Sequence, residues 1–295
     1  MKKVRFMAAL AAAAMAMTFA ACGNTSEQTA PEDTAASAEG AETSANAAEG
    51  TDESLKKVLD NGKLILGLDA TFEPMGYTNE NDEIVGFDID VAEEVCARMG
   101  VELVKQPIDW DTKEQDLAVG RIDCIWNGMS VNPSRAEQMN LSDPYMKNAM
   151  VFVVPASSEV ASMGDLTGKN IAVQNGSSAQ EILEASELCT SETPVNVTAM
   201  ATNVEALQQL ELGLVDAVFL DSVVANYQIT SAGKDYKVLP DGLEEEEYAI
   251  GFRKEDQALR DEVQRILCEM KADGKLGEIS TKWFGSDITT VEAAQ

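Results

Sequence analysis

Histidine is missing from all 295 residues. That absence rules out a Ser–His or Cys–His nucleophile pair and every zinc site built on imidazole. Cysteine is sparse: Cys22, Cys96, Cys124, Cys189 and Cys268 include no C-x-x-C spacing, so neither a redox pair nor a zinc knuckle is indicated. The four beyond Cys22 read as small buried hydrophobes with free thiols. Positive charge is scarce too, with 22 Lys and Arg against 51 Asp and Glu and a net charge of −29. Nucleic acid and anionic lipid surfaces repel such a chain, and neither is expected as a partner. After residue 21, no apolar run reaches the roughly 20 residues of a membrane span. No metal or cofactor is expected.

The first 21 residues form the exception to this polarity. Lys2, Lys3 and Arg5 are followed by an apolar run from Phe6 to Ala21, broken by a single Thr. A basic start, a short apolar stretch and small residues before a cut site make a secretory signal peptide, expected over 1–21. Phe19-Ala-Ala-Cys22 resembles a bacterial lipoprotein cleavage site, which implies that Cys22 is lipidated. Residues 23–54 contain eight acids and no Lys or Arg among Ala, Ser, Thr and Gly. Such a segment buries too little apolar surface to fold, and 22–54 is expected to be a disordered acidic tether. The protein would therefore sit on the extracellular face of the cell membrane, held by lipid alone.

A body of this length exceeds what one compact core usually holds, so two lobes are expected. Strand and helix patterns alternate. Lys63–Leu68 reads as a strand, Asp88–Met99 as a helix stopped by Gly100, and Val101–Val104 and Ile122–Trp126 as strands. The pattern then recurs: strands at Asn170–Gln174 and Asp216–Leu220 enclose helices at Ser178–Ala185 and Asn203–Leu212. One phrase appears in both halves. Residues 117–126, LAVGRIDCIW, align with 210–219, LELGLVDAVF, matching Gly120 to Gly213 and Asp123 to Asp216. Two similar α/β lobes with mostly parallel sheets explain the repeat.

Ligands of open α/β sheets bind beyond the carboxyl ends of the strands. That rule selects Asp69, Asn127 to Ser130 (with Gly128 between them), Gln174 to Ser178, and Asp221. Ser177 and Ser178 precede a helical pattern, where an N-cap and free backbone N–H groups favour a carboxylate. Arg135 follows the 122–126 strand, and a guanidinium clamps a carboxylate through two parallel hydrogen bonds. Asp221 suits an ammonium group, although it could simply cap the next helix. Phe72 and Trp110 lie after strands, where they either wall a ligand or pack the core. Together these residues offer an anion site, a cation site and an apolar wall, as a zwitterion needs.

Several phrases carry a family likeness: LGLDATFEPMGY (66–77), VGFDIDVAEEV (85–95), GMSVNPSRAEQMNLSDPY (128–145), VQNGSSAQEIL (173–183), DAVFLDSVVANY (216–227), EYAIGFRKED (247–256) and LGEISTKWFG (276–285). In this order, over nearly all of 55–288, they resemble the polar amino acid solute-binding proteins of ABC importers, family 3 type, in lipoprotein form. The resemblance implies an α/β, two-lobed periplasmic-binding-protein-like fold of type II, with a two-strand hinge and an interlobe ligand cleft. Lobe 1 would comprise 55–148 plus 250–288 and lobe 2 153–243, with crossings near 148–153 and 243–250. It also implies roles. Arg135, with the backbone at Ser130 and Ser178, would hold the α-carboxylate. Asp221, with Ser130 and a carbonyl near Asn127 or Gly128, would hold the α-ammonium. Phe72 and Trp110 would flank the side chain, with Asp69 and Gln174 near its tip. Ser134 stands where the family usually has Glu, and Ser130 where Thr is frequent. Asp69 favours a side chain that donates hydrogen bonds or is cationic, pointing to glutamine, arginine, lysine, histidine or cystine. The implied partner is a membrane permease that receives the ligand from a closed monomer. Competing expectations are an exported dehydratase-like enzyme on the same scaffold, or presentation of the ligand to a sensory partner. A built-in sensor would require a membrane span after residue 288.

Overall fold

The computed structural model describes residues 52–242 and 244–293. The expected signal peptide, Cys22 and all but the last residues of the expected tether lie outside this range. The first half begins with α1 (Ser54–Asn61), β1 (Lys63–Leu68) and a flap of β2 (Thr71–Phe72), β3 (Gly76–Thr78) and β4 (Ile84–Val85). It continues with α2 (Phe87–Met99), β5 (Glu102–Pro107), a 3-10 turn at Trp110–Thr112, α3 (Lys113–Ala118), β6 (Cys124–Ser130), α4 (Pro133–Gln138) and β7 (Asn140–Leu141). β8 (Met146–Pro155) crosses to the second half, which holds β9 (Asn170–Gln174), α5 (Ser178–Ala185), α6 (Glu187–Thr190) and β10 (Asn196–Met200). There follow α7 (Asn203–Glu211), β11 (Ala217–Asp221), α8 (Ser222–Thr230) and β12 (Tyr236–Val238). β13 (Glu244–Phe252) returns, and α9 (Gln257–Ala272) and α10 (Lys275–Phe284) cover the first half.

The strand order β10-β9-β11-β8-β13-β6-β1-β5, with β12 on β8 and β7 on β13, repeats one plan about its centre. In each half the opening strand lies between two parallel neighbours. A long strand arriving from the other half then adds antiparallel. The two long strands also pair with each other, Met146 to Met150 against Tyr248 to Glu244. This is the two-lobed type II arrangement, with β8 and β13 joining the lobes.

The repeated phrase has a structural cause. Gly120 and Gly213 take left-handed φ values of 74° and 68° where α3 and α7 end. The aspartates that follow do the same work in each lobe. Asp123 Oδ2 accepts from the N–H of Ile65 in β1 at 3.0 Å, and Asp216 Oδ2 accepts from Asn170 in β9 at 2.9 Å. Each thereby ties the third strand of its lobe to the first. The second lobe's core centres on Phe152 and Phe219, whose rings lie 4.4 Å apart.

Two expectations need correction. The strand expected over 122–126 runs over Cys124–Ser130, so Asn127 to Ser130 lie within it and not beyond its end. Pairing of Ser130 and Met129 with Tyr248 and Ala249 of β13 extends it, and all seven residues are buried. The ordered body also begins before residue 55: Asp52 accepts from the backbone of Ser54, and Ser54 starts α1. Packing continues past 288, where Thr290 N donates to Tyr145 O at 2.9 Å and Val291 is buried. Cys96, Cys124, Cys189 and Cys268 are unbridged.

One buried carboxylate braces the first lobe. Asp88 Oδ2, in the first turn of α2, accepts from Gly128 N at 2.7 Å and from Tyr145 Oη at 3.0 Å. It is fully buried, and among the described residues its Oδ1 makes no hydrogen bond of ordinary geometry, although the Trp126 side chain lies close enough to favour its charged form. Burial pushes its pKa up to about 7, against the pull of those donors. The folded protein therefore holds a proton that the unfolded chain has released above about pH 4, so stability falls as pH rises toward 7. Asp221 and Glu246, raised to about 6 and about 7, act in the same direction. We expect the ligand-free protein to melt at a higher temperature at about pH 5.5 than at about pH 7.5. In D88N the difference between the two melting temperatures should shrink. An unchanged difference would mean that Asp88 is ionised in the fold.

Candidate ligand-binding cleft

The carboxyl ends of β1, β6, β9 and β11 converge between the lobes. The cavity there is lined on one side by Phe72, Trp110, Gly128, Ser130 and Arg135. Gln174, Ser177, Ser178 and Asp221 face them from the second lobe, and Met150 comes from β8. Nine of the eleven residues selected from sequence thus surround one space.

Arg135 is set by its helix. Asn132 caps α4 by accepting from Arg135 N at 2.8 Å, and Pro133 follows at the first helical position. The arginine lies in the first turn, and its guanidinium turns back under β6. Nη1 donates to Ser130 O at 2.7 Å and, across the cleft, to Ser178 Oγ at 3.0 Å. The side chain is buried, and among the described residues no carboxylate forms an ion pair with it. Burial holds its pKa below the ordinary value, while the fields of Glu114, Glu181, Glu246 and Asp221 oppose that shift. Opposite, Ser177 caps α5 by accepting from Gln180 N at 3.2 Å. The N–H groups of the first turn beyond it have no acceptor within the helix. A guanidinium and a helix start therefore face the same volume from opposite lobes, a natural seat for a carboxylate.

The other pole is acidic. Asp221 ends β11 and precedes α8, but its side chain makes no cap. Its Oδ1 instead accepts from Tyr248 Oη at 2.6 Å and Asn148 Nδ2 at 2.8 Å. Burial raises it to about 6, with the two donors and Arg135 pulling it back. Beside it lies Glu246 of β13, whose Oε2 accepts from Ser130 Oγ at 2.7 Å and Asn148 Nδ2 at 3.3 Å. Among the described residues no lysine or arginine forms an ion pair with either acid.

Asp69 and Gln174 close one end of the cleft. Gln174 Nε2 donates to Asp69 Oδ2 at 2.7 Å, joining the lobes. Asp69 is buried, which raises its pKa, while Thr71 and Gln174 lower it. On its outer side a groove opens toward Asp109 and Asp111. Asn127 is not part of the cavity wall. Its Oδ1 accepts from Asp69 N at 3.0 Å, so it fixes the end of β1. The reason is the strand extension described above, which places Asn127 inside the sheet and leaves the backbone of Gly128 at the wall. Trp110 carries Lys113 beneath it, with Nζ 5.0 Å from the ring centre. Lys113 is nearly fully buried, donates to Gly176 O across the cleft at 2.9 Å, and pairs with Glu114.

Sequence reasoning missed Glu246, Asn148, Tyr248 and Lys113. A signal existed for two of them. Residues 246 and 248 share one face of a strand, which is buried while Glu245 and Glu247 are exposed. Among the described residues no cluster suits a metal ion, and no helix is long and apolar enough to cross a membrane.

Comparison with known proteins places the chain among amino-acid-binding proteins. The L-cystine-binding protein TcyJ of Escherichia coli K12 is 27% identical over 237 residues, covering 80% of this chain and 87% of its own. The solved structure of an ABC uptake transporter substrate-binding protein from Streptococcus pneumoniae, with bound histidine, superposes with a TM-score of 0.77. It is 39% identical and covers 81% of this chain and 99% of its own. The ancestral amino acid-binding protein AncCDT-1, a precursor of cyclohexadienyl dehydratase, is 29% identical with a TM-score of 0.71, covering 78% of this chain and 99% of its own. These relatives are binding proteins. Residues 64–286 match the sequence pattern of one family throughout, and the chain belongs to the bacterial extracellular solute-binding proteins, family 3.

Proposed function

We propose that this protein is the extracytoplasmic substrate-binding subunit of an ABC-type amino acid importer. It would capture a polar or cationic amino acid by closing about β8 and β13, and pass it to a membrane permease. One observation carries the reading: Arg135 and Asp221 are both buried in one cleft, and neither has an ion-pair partner among the described residues. Burying opposite charges apart from each other is costly unless a third body bridges them. A zwitterionic α-amino acid does so, its carboxylate on Arg135 and Ser178 and its ammonium on Asp221. The cystine and histidine bound by relatives both carry these groups. Asp69 at the far end favours a side chain with a donor or a positive charge. Anchoring through a lipid on Cys22, on the outer face of the membrane, fits the basic and apolar leader that precedes it. The protein would act there as a monomer.

A thermal-shift screen of the chain beginning after residue 22, against the twenty amino acids and cystine, tests the class. Ligand at 100-fold excess over Kd adds about 2.7 kcal/mol of apparent stability. No shift from protein shown to be ligand-free would reject an amino acid as the substrate. R135A should weaken the best ligand by about 2–4 kcal/mol in titration calorimetry. Unchanged affinity would remove the clamp. D69N should lower affinity for cationic amino acids more than for neutral ones, and an unchanged ranking would place Asp69 outside the pocket. Closure has its own test at Gly176. Its φ is 67°, and an added Cβ would lie 2.7 Å from Asp111 Cα across the cleft. G176A should prop the lobes apart, weakening binding about tenfold at a cost of about 1–2 kcal/mol to the ligand-free fold. Full compaction of G176A on ligand addition, measured by small-angle scattering, would contradict closure at this contact.

A further inference from the structure

We infer that Glu246 is a second carboxylate for the ligand's ammonium group, acting beside Asp221. The inference rests on the amino-acid-binding reading and adds to it a residue from the hinge.

Glu246 does not belong to the solvated acidic run that its neighbours suggest. Glu244, Glu245 and Glu247 are exposed, and only Glu246 turns inward from β13. Its partners there are Ser130 Oγ at 2.7 Å and Asn148 Nδ2 at 3.3 Å, both on Oε2. Those two neutral donors would serve the carbonyl oxygen of a glutamine equally well. A buried carboxylate costs far more than a buried amide when no cation accompanies it. The protein's own partners therefore explain a polar residue at 246, but not why it is a carboxyl group in place of an amide. Oε1 has no hydrogen-bond donor among the described residues.

The placement suits a cation brought by a ligand. Asn148 Nδ2 lies 2.8 Å from Asp221 Oδ1 and 3.3 Å from Glu246 Oε2. The two carboxylates thus flank a single donor and stand close enough for one ammonium, with its three N–H groups, to reach both. Ser130 separates the poles, since its carbonyl oxygen accepts from Arg135 and its hydroxyl donates to Glu246. A ligand with its carboxylate on Arg135 brings its ammonium to this corner. Burial and the neighbouring Asp221 raise Glu246 to about 7, and an ammonium between the two acids would reverse that penalty. The groups facing this corner are Arg135 from α4, Ser130 from β6, Asn148 from β8, Asp221 from β11 and Tyr248 from β13.

The test pairs a variant with an altered ligand. L-Arginine, L-histidine and L-glutamine are each titrated together with the α-hydroxy acid of the same side chain, which keeps the carboxylate and lacks the ammonium. E246Q should lose about tenfold or more in affinity for the amino acid that the wild type binds, and less than about threefold for its hydroxy analogue. E246D, with the charge withdrawn by one methylene, should fall between wild type and E246Q. Melting temperatures of the ligand-free variants establish that they are folded. Equal losses for amino acid and analogue, or no loss for either, would overturn the role and leave Glu246 as a hinge contact. A wild-type protein that binds none of the three amino acids, nor cystine, would overturn the functional reading itself.

Discussion

A guanidinium withdrawn from water must replace its hydration, and among the described residues Arg135 has only Ser130 O and Ser178 Oγ as acceptors. This partial compensation organises the cleft. α4 is short, capped by Asn132 and opened by Pro133, so that the arginine in its first turn points back beneath β6. α5 begins opposite, where its cap places Ser178 against the same guanidinium. A carboxylate seated between them would meet a positive charge and the unpaired N–H groups of a helix start at once. Neither lobe offers both, so the seat is complete only when the lobes meet.

The negative corner is built partly from the strands that join the lobes. Asn148 belongs to β8, and Glu246 and Tyr248 to β13, the strands that join the lobes. All three make hydrogen bonds to or within the acidic cluster around Asp221. In the proposed function, a ligand at this corner would touch the strands about which the lobes close. Further contacts secure the closed arrangement at the rim: Gln174 to Asp69, Lys113 to Gly176, Asn175 to Asp111, and Gln228 to Glu73. Their neutral or singly charged hydrogen bonds are individually weak.

Much of this was legible in the sequence, for physical reasons. Strands buried on both faces read as unbroken apolar runs, and polar residues at their carboxyl ends stand out against them. Asp69, Gln174, Ser178 and Asp221 were selected in this way, and the structure brings them together between the lobes. The repeat at Gly120 and Gly213 exposed the two lobes because both positions require left-handed backbone and both following aspartates tie one strand to another. Asn127 was misplaced because strand length depends on pairing with β13, about 120 residues away, which no local pattern records. Glu246 was hidden for a similar reason. Within four consecutive glutamates its inward turn follows from the register of β13 against β8 and β6, and composition alone suggests a solvated run. Lys113 escaped notice because a lysine at the start of a helix looks like surface. Only the fold shows it beneath Trp110, reaching the opposite lobe.

The central claim is that one cleft holds both ends of a zwitterion. Titration calorimetry with the best-binding amino acid, its carboxamide and its N-acetyl derivative tests this directly. The account predicts that binding is lost with both derivatives, because the amide cannot pair with Arg135 and the acetylated nitrogen cannot pair with Asp221. Retained affinity for either derivative would contradict it and would place that end of the ligand outside the cleft described.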